Sequence, residues 1–452
     1  MSTIAAISTA PGIGGIGIIR MSGEECFKIL ERFFEPINNT QIKGYTMKYG
    51  KIINDGKIID EVLVSYFVAP KSYTTENMCE INSHGGTVIM KQILELCLKF
   101  GAELAEPGEF TKRAFLNGRI DLTQAEAVID VINSKTEKEA RASVNQLEGN
   151  LSRKISEIRK DLIAGMADIE VTIDYPEYDV EEYTNSQVLD LLNRNKRKID
   201  ELLQSFSNGK ILRDGIKTAI IGRPNAGKSS LLNLLLNEER AIVTDIEGTT
   251  RDSIEEYISI KGIPFKIIDT AGIRSTEDKV EKIGVDKALE IAQNSDLIIS
   301  IFDISKDITE EDKKILEILE NKNAIIVLNK IDLIDNCSDT GVFDNRSKDI
   351  VKISTKTQEG IDNLLNLMVE KVSNDEVKTD GEIMVINARH KDLVSKAEKS
   401  LEKAIETLKS GMPIDVISIY IKEILEQLGK ITGETVTDDI INEIFSKFCL
   451  GK

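Results

Sequence analysis

The spacing of apolar and polar positions divides the chain into stretches of different texture. From Met1 to about Leu116, short apolar alternations predict strands at Ile4 to Ile7, Ile16 to Arg20, Tyr45 to Ile53, Glu61 to Phe67 and Met78 to Asn82. One helical stretch, Val88 to Lys99, follows His84-Gly85-Gly86, so this part reads as a compact α+β domain. From Leu122 a helical period with few breakers takes over, covering Ala125 to Val171 and then Gln187 to Phe206, with a boundary at Asn208-Gly209. Ile216 to about Val372 alternates strand-like and helix-like segments. Its apolar runs at Ile216 to Ile221, Phe265 to Ile268, Leu297 to Phe302 and Ala324 to Leu328 predict buried parallel strands of a doubly wound α/β domain. A polar joint, Ser373 to Gly381, leads into helical patterns from Ala388 to Phe448. The expected fold class is a multidomain α/β chain divided at 1–118, 119–210, 211–376 and 377–452. The α/β domain is then an insertion in a discontinuous all-α domain whose halves meet in space, because insertions favour exposed connections between helices.

A chain of 452 residues is too long for one core and has room for two to four. Its 41% hydrophobic and 30% charged content is that of an ordinary globular protein. No run of eighteen apolar residues predicts a membrane span, and Met1 to Ala10 lacks the basic and apolar regions of a signal peptide, so a cytoplasmic protein is expected. Five cysteines form no CxxC pair, which fits a reducing compartment, and two histidines leave little room for a His-based metal site or triad. A net charge of −18 argues against a protein that coats nucleic acid non-specifically, DNA included, though not against a local basic groove.

Chemistry enters at Gly222-Arg-Pro-Asn-Ala-Gly-Lys-Ser229. It follows the apolar run ending at Ile221 and opens the helical pattern Ser229 to Leu236, the strand-loop-helix setting of a P-loop. Backbone N–H groups of Asn225, Ala226, Gly227, Lys228, Ser229 and Ser230 would face phosphate oxygens, with the helix N-terminus adding a favourable dipole. Lys228 would reach the β- and γ-phosphates, and Ser229 would ligate Mg²⁺. Downstream, Asp269-Thr270-Ala271-Gly272 ends one predicted strand, placing a carboxylate near the Mg²⁺ shell and a glycine near the γ-phosphate. Asn329-Lys330-Ile331-Asp332 ends another. A carboxylate at Asp332 can accept both the ring N–H and the amino hydrogens of guanine, a pair that adenine does not offer. Ser354-Thr355-Lys356 suits the loop near the guanine carbonyl. In this order the motifs match the Ras-like P-loop GTPases. Between them, Gly248-Thr249-Thr250-Arg251-Asp252 occupies the place of a first switch, with Thr250 as the second hydroxyl on Mg²⁺. Ile273 stands where Ras-like proteins carry the Gln that orients attacking water, which leaves Glu277, Asp278 and Glu281 as candidates from sequence position.

These motifs, the Gly248-Thr-Thr-Arg-Asp252 switch and the terminal Phe448-Cys-Leu-Gly-Lys452 together resemble the MnmE (TrmE) family of bacterial tRNA modification GTPases across the whole chain. Ala10 to Gly17 with Arg20, Glu80 before His84-Gly85-Gly86, Pro107 to Thr111 and Arg113 to Gly118 resemble that family's N-terminal signatures. The terminal motif usually reads Cys-Ile-Gly-Lys, so Leu450 is a departure. The resemblance implies an N-terminal domain that binds a tetrahydrofolate derivative (5,10-methylene- or 5-formyl-) and mediates homodimerisation, with Arg20, Glu80, Arg119 and Lys452 on the folate. Arg119 stands where many relatives have Lys, which changes donor geometry. It also implies K⁺ in place of an arginine finger, held by Asn225, Thr244, Ile246 and Thr249, with Glu281 orienting water. The family acts with the flavoprotein MnmG on C5 of tRNA wobble uridines.

Simpler readings stand beside these. Cys449 is either a nucleophile, with Lys447 and Lys452 to lower its pKa, or a core residue beside Phe445 and Phe448. Arg20 and Glu80 also suit a structural ion pair at a sheet edge, and His84 either lines the folate site or is a hydrogen-bonded turn histidine. His390 reads as structural. Arg251 and Arg274 read as solvated rather than as arginine fingers, and Arg153, Lys154, Arg159 and Lys160 make a helix stripe suited to tRNA phosphate or to solvent. The Gly12 to Gly17 run is not a dinucleotide fingerprint, since no helix pattern opens after it. A regulatory GTPase switch in ribosome assembly is the alternative function.

Overall fold

The computed structural model describes residues 1–38, 41–174, 185–238, 256–268, 293–320, 322–333, 343, 349–372 and 387–452. They form two compact units: Met1–Asp130 with Gln146–Asn195 and Lys396–Lys452, and Val131–Asn145 with Lys196–Ser395.

In the first unit a seven-stranded sheet has the order β3-β4-β5-β6-β2-β1-β7. Its strands are β1 (Ile4–Ile7), β2 (Gly14–Ser22), β3 (Phe34–Pro36), β4 (Thr46–Asn54), β5 (Lys57–Phe67), β6 (Met78–Gly85) and β7 (Glu103–Leu104). Side chains alternate across the pleat, so Ile19, Met21, Val62, Val64, Cys79 and Ile81 share one face with α1 (Cys26–Leu30) and α2 (Thr87–Lys99). Arg20 and Glu80 are then left on the other face, paired directly across β2 and β6. Helix α3 (Glu109–Leu116) sends Phe110 to β1, where it packs with Ile4 and Ala6. β3, β7, α1 and α3 were not predicted; they are too short to show a period.

The single helical stretch expected from Ala125 to Val171 is three helices, α4 (Leu122–Asn133), α5 (Glu137–Leu147) and α6 (Asn150–Asp174). Breaks fall where Thr136 and Gly149 hydrogen-bond the flanking turns, through Ala140 N to Thr136 O and Arg153 N to Gly149 O. Later come α11 (Ala388–Lys409), α12 (Ile414–Thr432) and α13 (Asp438–Ser446). Helix α6 packs along α12, joining stretches that flank the α/β domain in sequence. Phe445 and Phe448 pack on Leu122 and Ala125 of α4.

Helix α7 (Asn185–Asp214), which enters the second unit at Lys196, runs through Asn208-Gly209, so the boundary expected there is wrong; the helix leaves its axis at Gly215. A helix gains one backbone bond per added residue, and one Asn-Gly pair costs too little to stop it. Six strands follow in the order β13-β12-β11-β8-β10-β9. They are β8 (Ile216–Ile221), β9 (Glu256–Ile260), β10 (Ile263–Ile268), β11 (Leu297–Asp303), β12 (Ala324–Asn329) and β13 (Ile350–Lys352), all parallel to their neighbours except β9. β11 is apolar on both faces because Leu297, Ile299 and Ile301 enter one core and Ile298 and Phe302 the other. Helices α8 (Lys228–Glu238), α9 (Glu310–Ile318) and α10 (Ile361–Val372) belong to this unit. Since β10 and β11 lie on opposite sides of β8, the loop after β8 sits where the order reverses, the usual ligand crevice of such sheets.

Candidate functional sites

The loop from β8 to α8 is braced from within. Lys228 is buried and its Nζ donates to the carbonyls of Gly222 at 3.0 Å and Arg223 at 2.9 Å. Gly227 has φ +110°, and a Cβ there would stand 2.2 Å from Asn329 Nδ2, so this close approach demands glycine. Arg223 Nη1 donates to Asp312 Oδ2 at 3.0 Å, beside the capping box that opens α9.

Asn329 and Lys330 bond that loop, and Asp332 and Ser354 bond each other. Buried Asn329 donates from Nδ2 to the Ala226 carbonyl at 2.8 Å and accepts at Oδ1 from Thr355 N at 3.1 Å. Lys330 Nζ donates to the Asn225 carbonyl at 2.9 Å and to Asp303 Oδ2 at 2.6 Å. Ser354 is buried; its Oγ donates to Asp332 Oδ1 at 2.6 Å and accepts from Lys356 N at 3.3 Å. Asp332 itself is exposed, so the carboxylate is oriented and open to a base. Burial pushes the Asp303 carboxyl up, and hydrogen bonds from Lys330 and Ser305 outweigh it, leaving the group below the usual carboxylate value. Ser229 and Ser230 follow Lys228 in the first turn of α8. Thr244, Asp245, Ile246, Glu247, Gly248, Thr249, Thr250, Asp269, Thr270, Ala271, Gly272, Ile273, Glu277, Asp278 and Glu281 lie outside the described residues, as do Arg251 and Arg274. Among the described residues no group of three or more His, Cys, Asp or Glu side chains is arranged to hold a metal ion.

In the first unit a cavity of about 640 Å³ brings Arg20, Glu80, Arg119 and Lys452 together, with Tyr45, Phe67 and Tyr73 among its walls. Arg20 and Glu80 are an ion pair of 2.8 Å in the interior of the sheet rather than at an edge, and they also line the cavity. Tyr73 is a platform for both guanidiniums: Arg119 lies 4.8 Å and Arg20 5.7 Å from its ring centroid. Its hydroxyl is 2.9 Å from Thr111 Oγ1, while Arg119 donates to its carbonyl at 2.9 Å. No motif marks Tyr73; only the stacking reveals it.

The terminal segment closes one side. Gly451 O accepts from Ser8 Oγ at 3.0 Å and Arg20 Nη1 at 3.2 Å, and Gly108 N donates to Cys449 O at 3.3 Å. Burial, with the charge of Arg20, holds the Lys452 ammonium below the usual lysine range. Cys449 is exposed, not in the core: α13 ends at Ser446, and the turn that buries Phe448 carries Cys449 outward. His84 does not line the cavity. Its Nδ1 lies 2.7 Å from Asp60 Oδ1, within β6 rather than a turn. His390 is fully buried, and Arg159 of the basic stripe pairs with Glu434. Among the described residues no helix is long and apolar enough to cross a membrane.

The family model for the MnmE helical domain matches residues 122–449, and that for the GTP-binding protein TrmE N-terminus matches residues 3–119. A tRNA modification GTPase MnmE of Acetivibrio thermocellus is 52% identical over 100% of this chain and 99% of its own. That of Clostridioides difficile is 50% identical over 100% and 99%. The solved G domain of the T. maritima FeoB iron transporter is similar at 27% identity, covering 35% of this chain and 99% of its own with a TM-score of 0.26. Full-length matches at about half identity, together with both family models, show that the chain belongs to the MnmE family of tRNA modification GTPases.

Proposed function

We propose that this chain is a K⁺-activated GTP hydrolase. In this reading it drives, with the flavoprotein MnmG, addition of an aminomethyl or carboxymethylaminomethyl group at C5 of wobble uridine, U34, in certain tRNAs. The one-carbon unit comes from a tetrahydrofolate derivative. The observation that supports it most is the bracing of three separate loops, at Ala226, Asn329 and Ser354, around one crevice at the carboxyl ends of parallel strands. Asp332 reads guanine, Lys228 and the loop amides hold phosphates, and Glu281 orients the attacking water. Mg²⁺ and K⁺, when bound, supply positive charge against the phosphate oxygens. Ser229 and Thr250 would hold the first, and Asn225, Thr244, Ile246 and Thr249 the second. The donor types fit, since all are oxygen ligands of the kind hard cations take.

The cavity suits a folate. Its size lies in the range of small-molecule sites, two guanidiniums and an ammonium in its lining suit a ligand that carries carboxylates, and Tyr73 offers a ring surface. Arg20, Glu80, Arg119 and Lys452 are the assigned contacts. In the domain scheme, residues 1–118 bind folate and dimerise, 211–376 form the G domain, and 119–210 with 377–452 form the helical domain. Cys449, being exposed, is accessible as a nucleophile; normal tRNA modification by Cys449→Ser with unchanged GTPase activity would remove it from the chemistry. The decisive experiment is mass spectrometry of wobble nucleosides from a deletion strain, where loss of the modified uridine is expected. Hydrolysis should be much faster in KCl than in NaCl, and equal rates would sink the K⁺ assignment.

A further inference from the structure

We propose that Asp303, at the carboxyl end of β11, is a positioning residue that fixes the base-reading loop to the phosphate loop by holding Lys330 over the Asn225 carbonyl. Asp303 lies opposite Asn329 in the parallel pairing of β11 with β12, so it stands one residue from Lys330 across the strands. Its side chain is only 11% exposed, and its carboxylate is held from both sides. Oδ2 accepts from Lys330 Nζ at 2.6 Å, while Oδ1 accepts from Ser305 Oγ at 2.6 Å and Ser305 N at 3.0 Å. The ammonium then reaches the Asn225 carbonyl at 2.9 Å.

Both residues joined by that ammonium are strained. Lys330 has φ +70° and Asn225 has φ +62°, left-handed conformations that side chains other than glycine adopt only when their surroundings hold them. The chain of bonds Ser305, Asp303, Lys330, Asn225 supplies the hold. The carboxylate remains ionised at neutral pH, because the hydrogen bonds of Lys330 and Ser305 outweigh its burial. Without it, the flexible lysine keeps only a neutral acceptor and regains side-chain freedom. Asp303 thus acts through Lys330, and its effect belongs to nucleotide affinity, shared by GTP and GDP, rather than to the chemical step. This rests on the GTP-binding reading of the crevice.

The test uses the full chain and a double-mutant cycle of Asp303→Ala and Lys330→Ala, read as GTP and GDP affinity, saturated turnover and thermal midpoint without nucleotide. Asp303→Ala should weaken GTP and GDP alike by about tenfold, the loss of one charge-assisted hydrogen bond. Saturated turnover should stay within about twofold. In the Lys330→Ala background it should add less than about twofold, because its partner is gone. Ser305→Ala, which releases the carboxylate without removing it, should weaken binding by about threefold and serves if Asp303→Ala does not fold. Equal losses in both backgrounds, or unchanged affinity in the single variants, would overturn the proposal. A wild-type chain that binds neither nucleotide would instead overturn the GTPase reading beneath it.

Discussion

Replacing Gly451 by Ala perturbs the terminal segment at its tightest point. Gly451 has φ +88°, where a side chain costs about 1–2 kcal/mol. The added Cβ would stand 2.4 Å from Ile7 O and 2.9 Å from Ser8 Cα, both backbone atoms of β1 and its following turn, so no flexible side chain yields. The segment must lift, and lifting breaks the bonds from Ser8 and Arg20 to the Gly451 carbonyl. At about 1 kcal/mol for the neutral bond and 1.5–3 kcal/mol for the charged one, docking weakens by about 3 kcal/mol or more, capped by complete release. Hydrogen exchange read by mass spectrometry should then show protection of the Gly108 amide, which donates to Cys449 O, falling by about a hundredfold. Binding of 5-formyltetrahydrofolate should weaken in parallel, because Lys452 leaves the cavity wall. Wild-type exchange at Gly108 with wild-type folate affinity would refute both the clash and the role of the segment.

Asp332→Asn should lower GTP affinity by about a hundredfold or more and shift preference toward xanthosine triphosphate, which offers a carbonyl to the new amide; competition binding checks it. Tyr73→Ala should weaken folate binding by about tenfold with little loss of stability, whereas Tyr73→Phe keeps the ring and should stay within about threefold in calorimetry. Asp303 has a folded-state pKa below its ordinary 3.8, so its stabilisation is complete above that value and lost as pH falls through the lower one. Asp303→Asn should therefore flatten the acid limb of stability below about pH 4. Far-UV circular dichroism in urea is the measurement, since the chain has no Trp.

Much of the fold is legible in the chain because β11 and β12 are buried on both faces and read as nearly continuous apolar runs, broken within only by Ser300. Reading fails where a local signal is outvoted. The Asn208-Gly209 pair lies inside α7, and the breaks at Thr136 and Gly149 fall in a stretch whose helical period gives no warning. β7 and β13, at two and three residues, exist only because a neighbouring strand pairs with them. Cys449 looked like a core position from its apolar neighbours, but position along a helix predicts facing only while the helix lasts, and α13 stops at Ser446.

The phosphate loop, the base-reading loop and the terminal Cys449-Leu450-Gly451-Lys452 are decided by the amino-acid sequence itself. Each depends on contiguous residues whose backbone demands, such as the left-handed Gly227 and Gly451, are written locally. Tertiary structure alone decides that Arg20, Glu80, Arg119 and Lys452 share one cavity, that Tyr73 lies beneath both guanidiniums, and that Asp303 governs Lys330. Those contacts join residues tens to hundreds of positions apart. No periodicity or spacing encodes them; strand register and the docking of the terminal segment do.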